Sequence, residues 1–149
     1  MSARRVTLAA ATLALLAACG DGDVAARRRA LGANPTLAAR LAAADAGRGA
    51  RLFGQCAACH TIGAGAGDRN GPNLRGVMGA PVAGVSPRFG YTAALRGHGG
   101  RWTDAAMDAW LADPAAVAPG TAMRFAGVRD PLDRADLIAY LHRQGDAAR

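Results

Sequence analysis

The sequence predicts an all-α fold whose helices are joined by long loops. Two segments carry clear helix starts: Thr103 precedes a run with one apolar face, and Asp130 is followed directly by Pro131. An acceptor side chain at the N-cap and a proline at the first helical position both favour a first helical turn. No segment shows the alternation of apolar and polar residues that marks a strand.

The N-terminal segment has the composition of an export signal. Residues 1–18 combine Arg4 and Arg5 with an apolar stretch that is too short to span a bilayer comfortably. The stretch ends in Leu-Ala-Ala-Cys at Cys19, which resembles the lipobox of bacterial lipoproteins and implies acylation of that thiol after cleavage. An ordinary signal-peptidase site, with Cys19 as a bystander, is the alternative. We interpret residues 19–35 as a lipid-anchor cysteine followed by a flexible tether.

The main domain is expected over residues 36–149, with its core at about residues 45–144. The segment 36–53 has a helical composition interrupted by glycines, and we expect its ordered helix around residues 45–53. Residues 61–101 are rich in Gly and Pro and show no sustained period, which predicts loops.

The last two helices follow from their caps. Thr103 caps a helix that runs through Asp113, and Pro114 ends it. A final helix starts at Pro131 after the carboxylate of Asp130. Their buried faces are expected to come from Met107, Trp110 and Leu111 in the first helix, and from Leu137, Ile138, Tyr140 and Leu141 in the second.

The charge of the chain is strongly basic and entirely arginine-based. All 18 basic residues are Arg, all 11 acidic residues are Asp, and the formal net charge is +7. This balance indicates acidic partners or an anionic surface. The arginines are scattered and form no basic stripe, so binding to nucleic acid is not expected.

Large side chains are scarce. Only 5% of the residues are aromatic, and Ala and Gly make up much of the chain. Such a chain has little apolar volume with which to build a core. A buried macrocycle would supply the missing volume.

One motif carries the chemistry. Cys56 and Cys59 stand three residues apart with His60 directly after them, which is the attachment signature of haem c. Two thiols at this spacing lie on nearly the same helix face and can add to the two vinyl groups at one porphyrin edge. His60 then presents an imidazole nitrogen to the iron. A disulfide, half of a zinc site and a thioredoxin-like pair are the alternatives, but there is no second cysteine pair and no βαβ context.

A second iron ligand is expected further along the chain. The methionine candidates are Met78 in a loop, Met107 at helical spacing with apolar neighbours, and Met123 in an irregular segment between two helices. His98 and His142 are the rival imidazoles, and surface positions are expected for both. The residues alone leave this choice open.

Several segments match one known family. Gly49 and Phe53 correspond to a first helix that crosses the last helix beside Tyr140, and residues 71–74 read Gly-Pro-Asn-Leu. In these segments the chain resembles the class I c-type cytochromes, the small mitochondrial and bacterial type, over about residues 49–144. The resemblance implies an all-α fold of three to five helices whose long loops wrap around one covalent haem.

The resemblance also implies individual haem contacts. The carbonyl of Pro72 is expected to accept a hydrogen bond from His60, which would orient the imidazole and raise its donor strength. Tyr91 and Trp102 match positions whose polar hydrogens reach a haem propionate. Residues 119–127 match the loop of the axial methionine, which makes Met123 the sixth ligand.

The chain also departs from the family pattern. The arginine expected beside the propionate falls on Ala80, and Arg88 is a candidate substitute. Leu95 stands where the family has an asparagine near the haem. Trp110 replaces a tyrosine beneath the methionine ligand, and an indole can donate a hydrogen bond but cannot accept one.

The function implied by the resemblance is single-electron transfer by a carrier that is not an enzyme. With His60 and Met123 both bound, the iron has no open coordination position, and a thioether ligand raises the potential. The haem edge near Cys59, Ala122 and Phe125 is expected to lie close to the surface as the electron port. The alternatives are a haem subunit fixed in a larger oxidoreductase and, with an open iron site, a haem peroxidase or sensor.

The expected partners are membrane redox complexes with acidic docking faces. Arg75, Arg88 and Arg124 are candidates for a positive rim around the electron port. By family analogy, a quinol-oxidising cytochrome complex is the donor, and a terminal oxidase or photosynthetic centre is the acceptor. We expect a monomer in the periplasm, tethered to the membrane by a lipid on Cys19, that makes weak and transient complexes.

Overall fold

The computed structural model describes residues 21–145, and their regular structure is helical apart from one isolated bridge between Pro81 and Arg101. The all-α prediction is therefore confirmed. The chain divides into two compact units, Met1–Pro35 and Thr36–Arg149. The helices in chain order are α1 (Asp21–Leu31), α2 (Leu37–Ala42), α3 (Ala46–Leu52), a 3-10 turn (Phe53–Gln55), α4 (Ala93–His98), α5 (Asp104–Ala112), α6 (Pro114–Val117) and α7 (Pro131–Arg143).

In the smaller unit, part of the expected flexible tether is helical. Helix α1 occupies Asp21–Leu31, within the segment that we expect to act as a tether. Ala, Arg and Leu have high helix propensity, and Asp23 pairs with Arg27 one turn later at 3.5 Å. The predicted signal peptide and Cys19 lie outside the described residues.

The two predicted helix starts in the larger unit are confirmed. The hydroxyl of Thr103 accepts a hydrogen bond from the Ala106 amide at the start of α5. The carboxylate of Asp130 accepts from the Leu132 amide at 2.8 Å at the start of α7. Pro114 follows the end of α5, as expected, and it is also the first residue of α6.

Short helices account for the main differences from the expected fold. Within the described part of the larger unit there are six α-helices where three to five were expected, and three of them have six residues or fewer. Thr36 caps α2 through the Ala39 amide at 3.2 Å, and Thr92 caps α4 through the Leu95 amide at 3.3 Å. Helix α4 thus lies inside the segment 61–101 that was expected to be entirely loop.

Helices α3 and α7 cross at a glycine, as expected. A Cβ atom on Gly49 would overlap the carbonyl oxygen of Asp136 and lie 2.8 Å from the Cβ of Tyr140. Only glycine allows this approach. The rings of Phe53 and Tyr140 pack beside the crossing, with their centroids 5.3 Å apart. The Asp45 amide donates to the buried carboxylate of Asp136 at 2.7 Å, which fixes the start of α3 on α7.

A partly buried ion cluster joins α2, α5 and α7. Arg40, which is 8% exposed, donates two hydrogen bonds to the Asp108 carboxylate, at 3.1 and 3.2 Å, and one to the Pro131 carbonyl at 2.8 Å. Arg134 donates to the same carboxylate at 2.8 Å and to the Val128 carbonyl at 2.9 Å. Burial alone would raise the pKa of Asp108, but the hydrogen bonds from both arginines outweigh it, so this pKa lies below its ordinary value.

Replacement of Asp108 by Asn should destabilise the protein at neutral pH. The variant leaves two poorly solvated guanidinium groups without their counter-charge, and loss of one partner of a buried ion pair costs about 3–5 kcal/mol when burial is complete. Because the Asp108 side chain retains 17% exposure, we expect the lower part of that range. Guanidinium chloride unfolding of the purified protein measures the difference in the free energy of unfolding.

Asp104→Asn is the matched control, since this carboxylate is 43% exposed in its pair with His142, and its loss should cost under ~1 kcal/mol. The contribution of Asp108 also has a pH signature. A carboxylate whose folded pKa is lowered stabilises the fold above its unfolded pKa, and this stability is lost as the pH falls through the folded value. The difference in the free energy of unfolding between wild type and Asp108→Asn should therefore become smaller below about pH 4. A gap that stays constant down to pH 2 would contradict this assignment.

Candidate functional site

A large cavity lies between the helices and loops of the larger unit. Its volume is about 540 Å³, and apolar and aromatic side chains line most of it. Protein interiors are close-packed, with few voids larger than a water molecule. A cavity of this size is therefore a ligand site. The lining residues include Phe53, Cys56, Cys59, His60, Pro72, Tyr91, Leu95, Trp102, Met107, Trp110, Ala122, Met123, Arg124 and Phe125.

The Cys-x-x-Cys-His motif forms one end of the cavity wall. After the 3-10 turn, the amides of Cys59 and His60 both donate to the Cys56 carbonyl, at 3.0 and 2.9 Å. This tight turn places both thiols and the imidazole on the wall of the cavity. The two cysteines are not joined in a disulfide.

The environment of the motif argues against thiol redox chemistry and zinc. Burial raises the pKa of the Cys56 thiol to about 11, whereas catalytic cysteines have a lowered pKa. Within residues 21–145, no group of three or more His, Cys or Asp side chains is placed to hold a metal ion.

The imidazole of His60 is held by two contacts. Its Nδ1 lies 2.8 Å from the carbonyl oxygen of Pro72. A carbonyl can only accept, so the proton is on Nδ1 and the lone pair of Nε2 is left for a metal. The ring lies against Gly71, where a Cβ atom would overlap it. Glycine before Pro72 is therefore required by the position of the imidazole.

Two of the three methionine candidates reach the cavity. Met107 and Met123 line it, whereas Met78 packs against the core elsewhere. Met107 is 4% exposed within α5, and Met123 is half-buried on the irregular segment between α6 and α7. Neither His98 nor His142 lines the cavity.

The segment that carries Met123 is anchored at its far end. A Cβ atom on Gly127, whose φ is +89°, would overlap the carbonyl oxygen of Ala112. The Val128 amide donates to the Leu111 carbonyl at 2.7 Å. These contacts fix the segment against the end of α5.

The aromatic residues Tyr91, Trp102 and Trp110, each with a hydrogen-bond donor, line the cavity. The Tyr91 hydroxyl accepts a hydrogen bond from the Ser86 amide at 3.2 Å. Burial is the main cause of a raised pKa for Tyr91, so its phenol stays protonated. Trp102 and Trp110 are both buried, and their ring centroids lie 5.3 Å apart. The wall thus combines hydrogen-bond donors with apolar surface.

Two expected arginine positions differ in the structure. Arg88, the candidate substitute for the charge missing at Ala80, does not line the cavity and lies near Asp68 instead. Arg75 borders the same neighbouring groove as Arg88. Of the three expected rim arginines, only Arg124 reaches the cavity, because the loops that carry the other two turn toward that groove.

The sequence analysis did not identify the residues that support the wall from outside. Asp68 bonds to Asn73 and to Ser86, and the latter supports Tyr91. The hydroxyl-bearing residues Thr92 and Thr121 line the cavity directly. Asp68 and Ser86 are 18 residues apart in a loop-rich region, and no local pattern in the sequence pairs them.

The residues present fit a covalently bound haem. An apolar cavity, a thiol pair at one end, an oriented imidazole, a loop-borne thioether and hydroxyl and indole groups meet the needs of a macrocycle with iron and carboxylate side arms. None of the helices in the described residues is long and apolar enough to cross a membrane.

Comparison with known proteins gives a consistent result. The cytochrome c family model matches residues 46–144. The chain is 42% identical to cytochrome c2 of Rhodomicrobium vannielii over 107 residues, covering 72% of this chain and 85% of the relative. It is 43% identical to cytochrome c2 of Blastochloris viridis over 103 residues, covering 69% and 80%.

The solved structure of cytochrome cH from Methylobacterium extorquens is similar as well. It superposes with a TM-score of 0.63 at 38% identity and covers 66% of this chain and 98% of that one. Sequence and fold therefore agree. The chain belongs to the cytochrome c family, and it is an electron carrier with one covalently attached haem c rather than an enzyme.

Proposed function

We propose that this protein carries single electrons on a six-coordinate haem held by four residues. Cys56 and Cys59 form the thioether links, and His60 and Met123 are the axial ligands. One observation carries the proposal: these four side chains line the same 540 Å³ cavity. Met107 also lines it, but its place in a buried helix favours core packing.

The chain's own residues hold and shield the iron. When bound, the haem supplies the Fe(III)/Fe(II) couple that accepts and releases one electron. The Pro72 carbonyl keeps the His60 proton on Nδ1 and directs Nε2 to the iron. The apolar wall excludes water, and a thioether at the sixth position favours the reduced iron. Together these residues would hold the haem and keep water away from it.

Electrons are proposed to leave through the cavity rim. Cys59 and Ala122 are exposed, Phe125 is half-buried, and all three line the cavity. Arg124 is exposed beside them and offers a positive contact to acidic partners. The proposed donor is a quinol-oxidising cytochrome complex, and the proposed acceptor is a terminal oxidase or photosynthetic centre.

The proposed location is the periplasmic face of the membrane. Residues 1–18 have the features of an export signal, and Cys19 stands where the apolar stretch ends. Acylation of Cys19 would confine the carrier to a layer beside membrane-embedded complexes, which raises its effective concentration there.

Removal of both motif cysteines should abolish covalent attachment. In Cys56→Ala/Cys59→Ala, haem should be extractable with acidified acetone, and the chain should be largely unfolded because its core lacks large side chains. Cys19→Ala is the matched control and should keep its haem. Haem staining of a denaturing gel and circular dichroism measure the two effects. A soluble, folded apoprotein would contradict the claim that haem fills the core.

Removal of the Met123 thioether should open the iron. Met123→Ala should lose the Fe(III)–sulfur charge-transfer band, bind cyanide or carbon monoxide, and lower the potential by a few tenths of a volt, within the ~0.8 V range that axial ligands span. The thioether links should remain.

Two methionine controls separate the candidates. Met78→Ala and Met107→Leu should keep the Fe(III)–sulfur band and should bind neither cyanide nor carbon monoxide. If Met107→Leu lost the band while Met123→Ala kept it, the sixth ligand would be assigned to α5 instead.

The proposed anchor is tested by fractionation. Cys19→Ser should move the protein from the membrane fraction to the soluble periplasm, with its visible spectrum unchanged. The intact mass of the wild-type protein gives the direct check. A mature N-terminus beyond Cys19, without lipid, would overturn the anchor and leave the electron-transfer proposal intact.

A further inference from the structure

One carboxylate joins two loops that form part of the cavity wall. Asp68 lies in the Gly-rich segment 63–71. Its Oδ1 accepts a hydrogen bond from the Asn73 amide at 2.7 Å. Its Oδ2 accepts from the Ser86 hydroxyl, also at 2.7 Å. Each carboxylate oxygen therefore holds a different loop.

The first loop carries the support of the His60 imidazole. Asn73 follows Pro72, whose carbonyl lies 2.8 Å from Nδ1 of His60. The Asn73 side chain also donates to the carbonyls at both ends of the turn 63–66, at 2.9 and 2.7 Å. The contact from the Asn73 amide to Asp68 therefore restrains the peptide that orients the imidazole.

The second loop carries a hydroxyl of the cavity wall. The Ser86 amide donates to the Tyr91 hydroxyl oxygen at 3.2 Å. This bond occupies a lone pair of the phenol and leaves the hydroxyl hydrogen to be donated elsewhere. Tyr91 lines the cavity, and Asp68 holds the residue whose amide contacts the Tyr91 hydroxyl.

The charge state of Asp68 supports this arrangement. The hydrogen bond from the Asn73 amide is the largest cause of a lowered pKa for Asp68, and the Ser86 hydroxyl and the nearby Arg88 add to it against a smaller effect of burial. Asp68 is therefore ionised at neutral pH and can accept both hydrogen bonds at once.

We propose that Asp68 is a positioning residue for the haem: through Ser86 it directs the Tyr91 hydroxyl toward a haem carboxylate, and through Asn73 it steadies the Pro72 carbonyl on His60. The proposal rests on the proposed function, in which Tyr91 and His60 both contact a bound haem. A carboxylate at the haem that loses a hydrogen-bond donor carries more effective negative charge, and this favours Fe(III). Loss of the positioning should thus lower the midpoint potential.

The test is a double-mutant cycle on the purified holoprotein, read by spectroelectrochemical titration at pH 7. Asp68→Ala and Ser86→Ala each break the link. Asp68→Asn removes the charge but keeps both contacts, because its amide can accept from Asn73 and donate to the Ser86 oxygen. Asp104→Asn removes a charge on α5 without touching either loop. Each variant is also combined with Tyr91→Phe.

Asp68→Ala and Ser86→Ala should each lower the Fe(II) to Fe(III) ratio at a fixed applied potential by about threefold. Asp68→Asn and Asp104→Asn should stay close to wild type. In the Tyr91→Phe background, less than half of the Asp68→Ala shift should remain. Hydrogen exchange of the Asn73 and Ser86 amides should accelerate about tenfold in Asp68→Ala but not in Asp68→Asn.

Three results would overturn the proposal. Equal shifts for Asp68→Asn and Asp68→Ala would mean that only the charge acts. An undiminished shift in the Tyr91→Phe background would mean that Tyr91 is not the route. Unchanged potentials in both alanine variants would remove the role altogether. Failure of the proposed function is seen separately, because wild-type protein would then lack covalent haem or the Fe(III)–sulfur band.

Discussion

The volume of the haem cavity is the constraint on which the rest of the structure depends. The chain has few large side chains, and within residues 23–145 the largest that are fully buried are Leu137, Ile138, Asp136 and Pro114. Helices α3, α5 and α7 cannot fill 540 Å³ between them, so a rigid apolar macrocycle completes the core. The loops follow from this requirement. They have little regular structure of their own. Short hydrogen bonds hold them in place where they line the cavity.

Electrostatic contacts then fix the walls around that volume. Arg40 and Arg134 converge on Asp108 and join α2, α5 and α7, and Arg134 also holds the Val128 carbonyl at the end of the Met123 segment. At the other side, Asp68 joins the loops that support His60 and Tyr91. These contacts restrain the wall of the cavity on two sides.

The sequence predicted features that depend on neighbouring residues or on a motif. The caps of α5 and α7, the Gly49 crossing and the cysteine motif belong to this group, and the contact from His60 to Pro72 followed from family resemblance. Features that depend on distant pairs could not be predicted. Arg40 meets Asp108 across 68 residues. Helix α4 has a local threonine cap, but it is only six residues long and lies in a segment rich in glycine, which favours loops. Arg88 was placed at the haem by position in the chain, but the path of its loop takes it elsewhere.

The central claim is that a haem closed by two axial ligands fills this cavity and exchanges one electron. A redox titration of the purified holoprotein, followed by visible spectroscopy in the presence and absence of carbon monoxide, tests it most directly. We expect a single one-electron transition between two low-spin spectra, unchanged by carbon monoxide. A high-spin ferrous spectrum that shifts when carbon monoxide is added would show an open iron site and would contradict it.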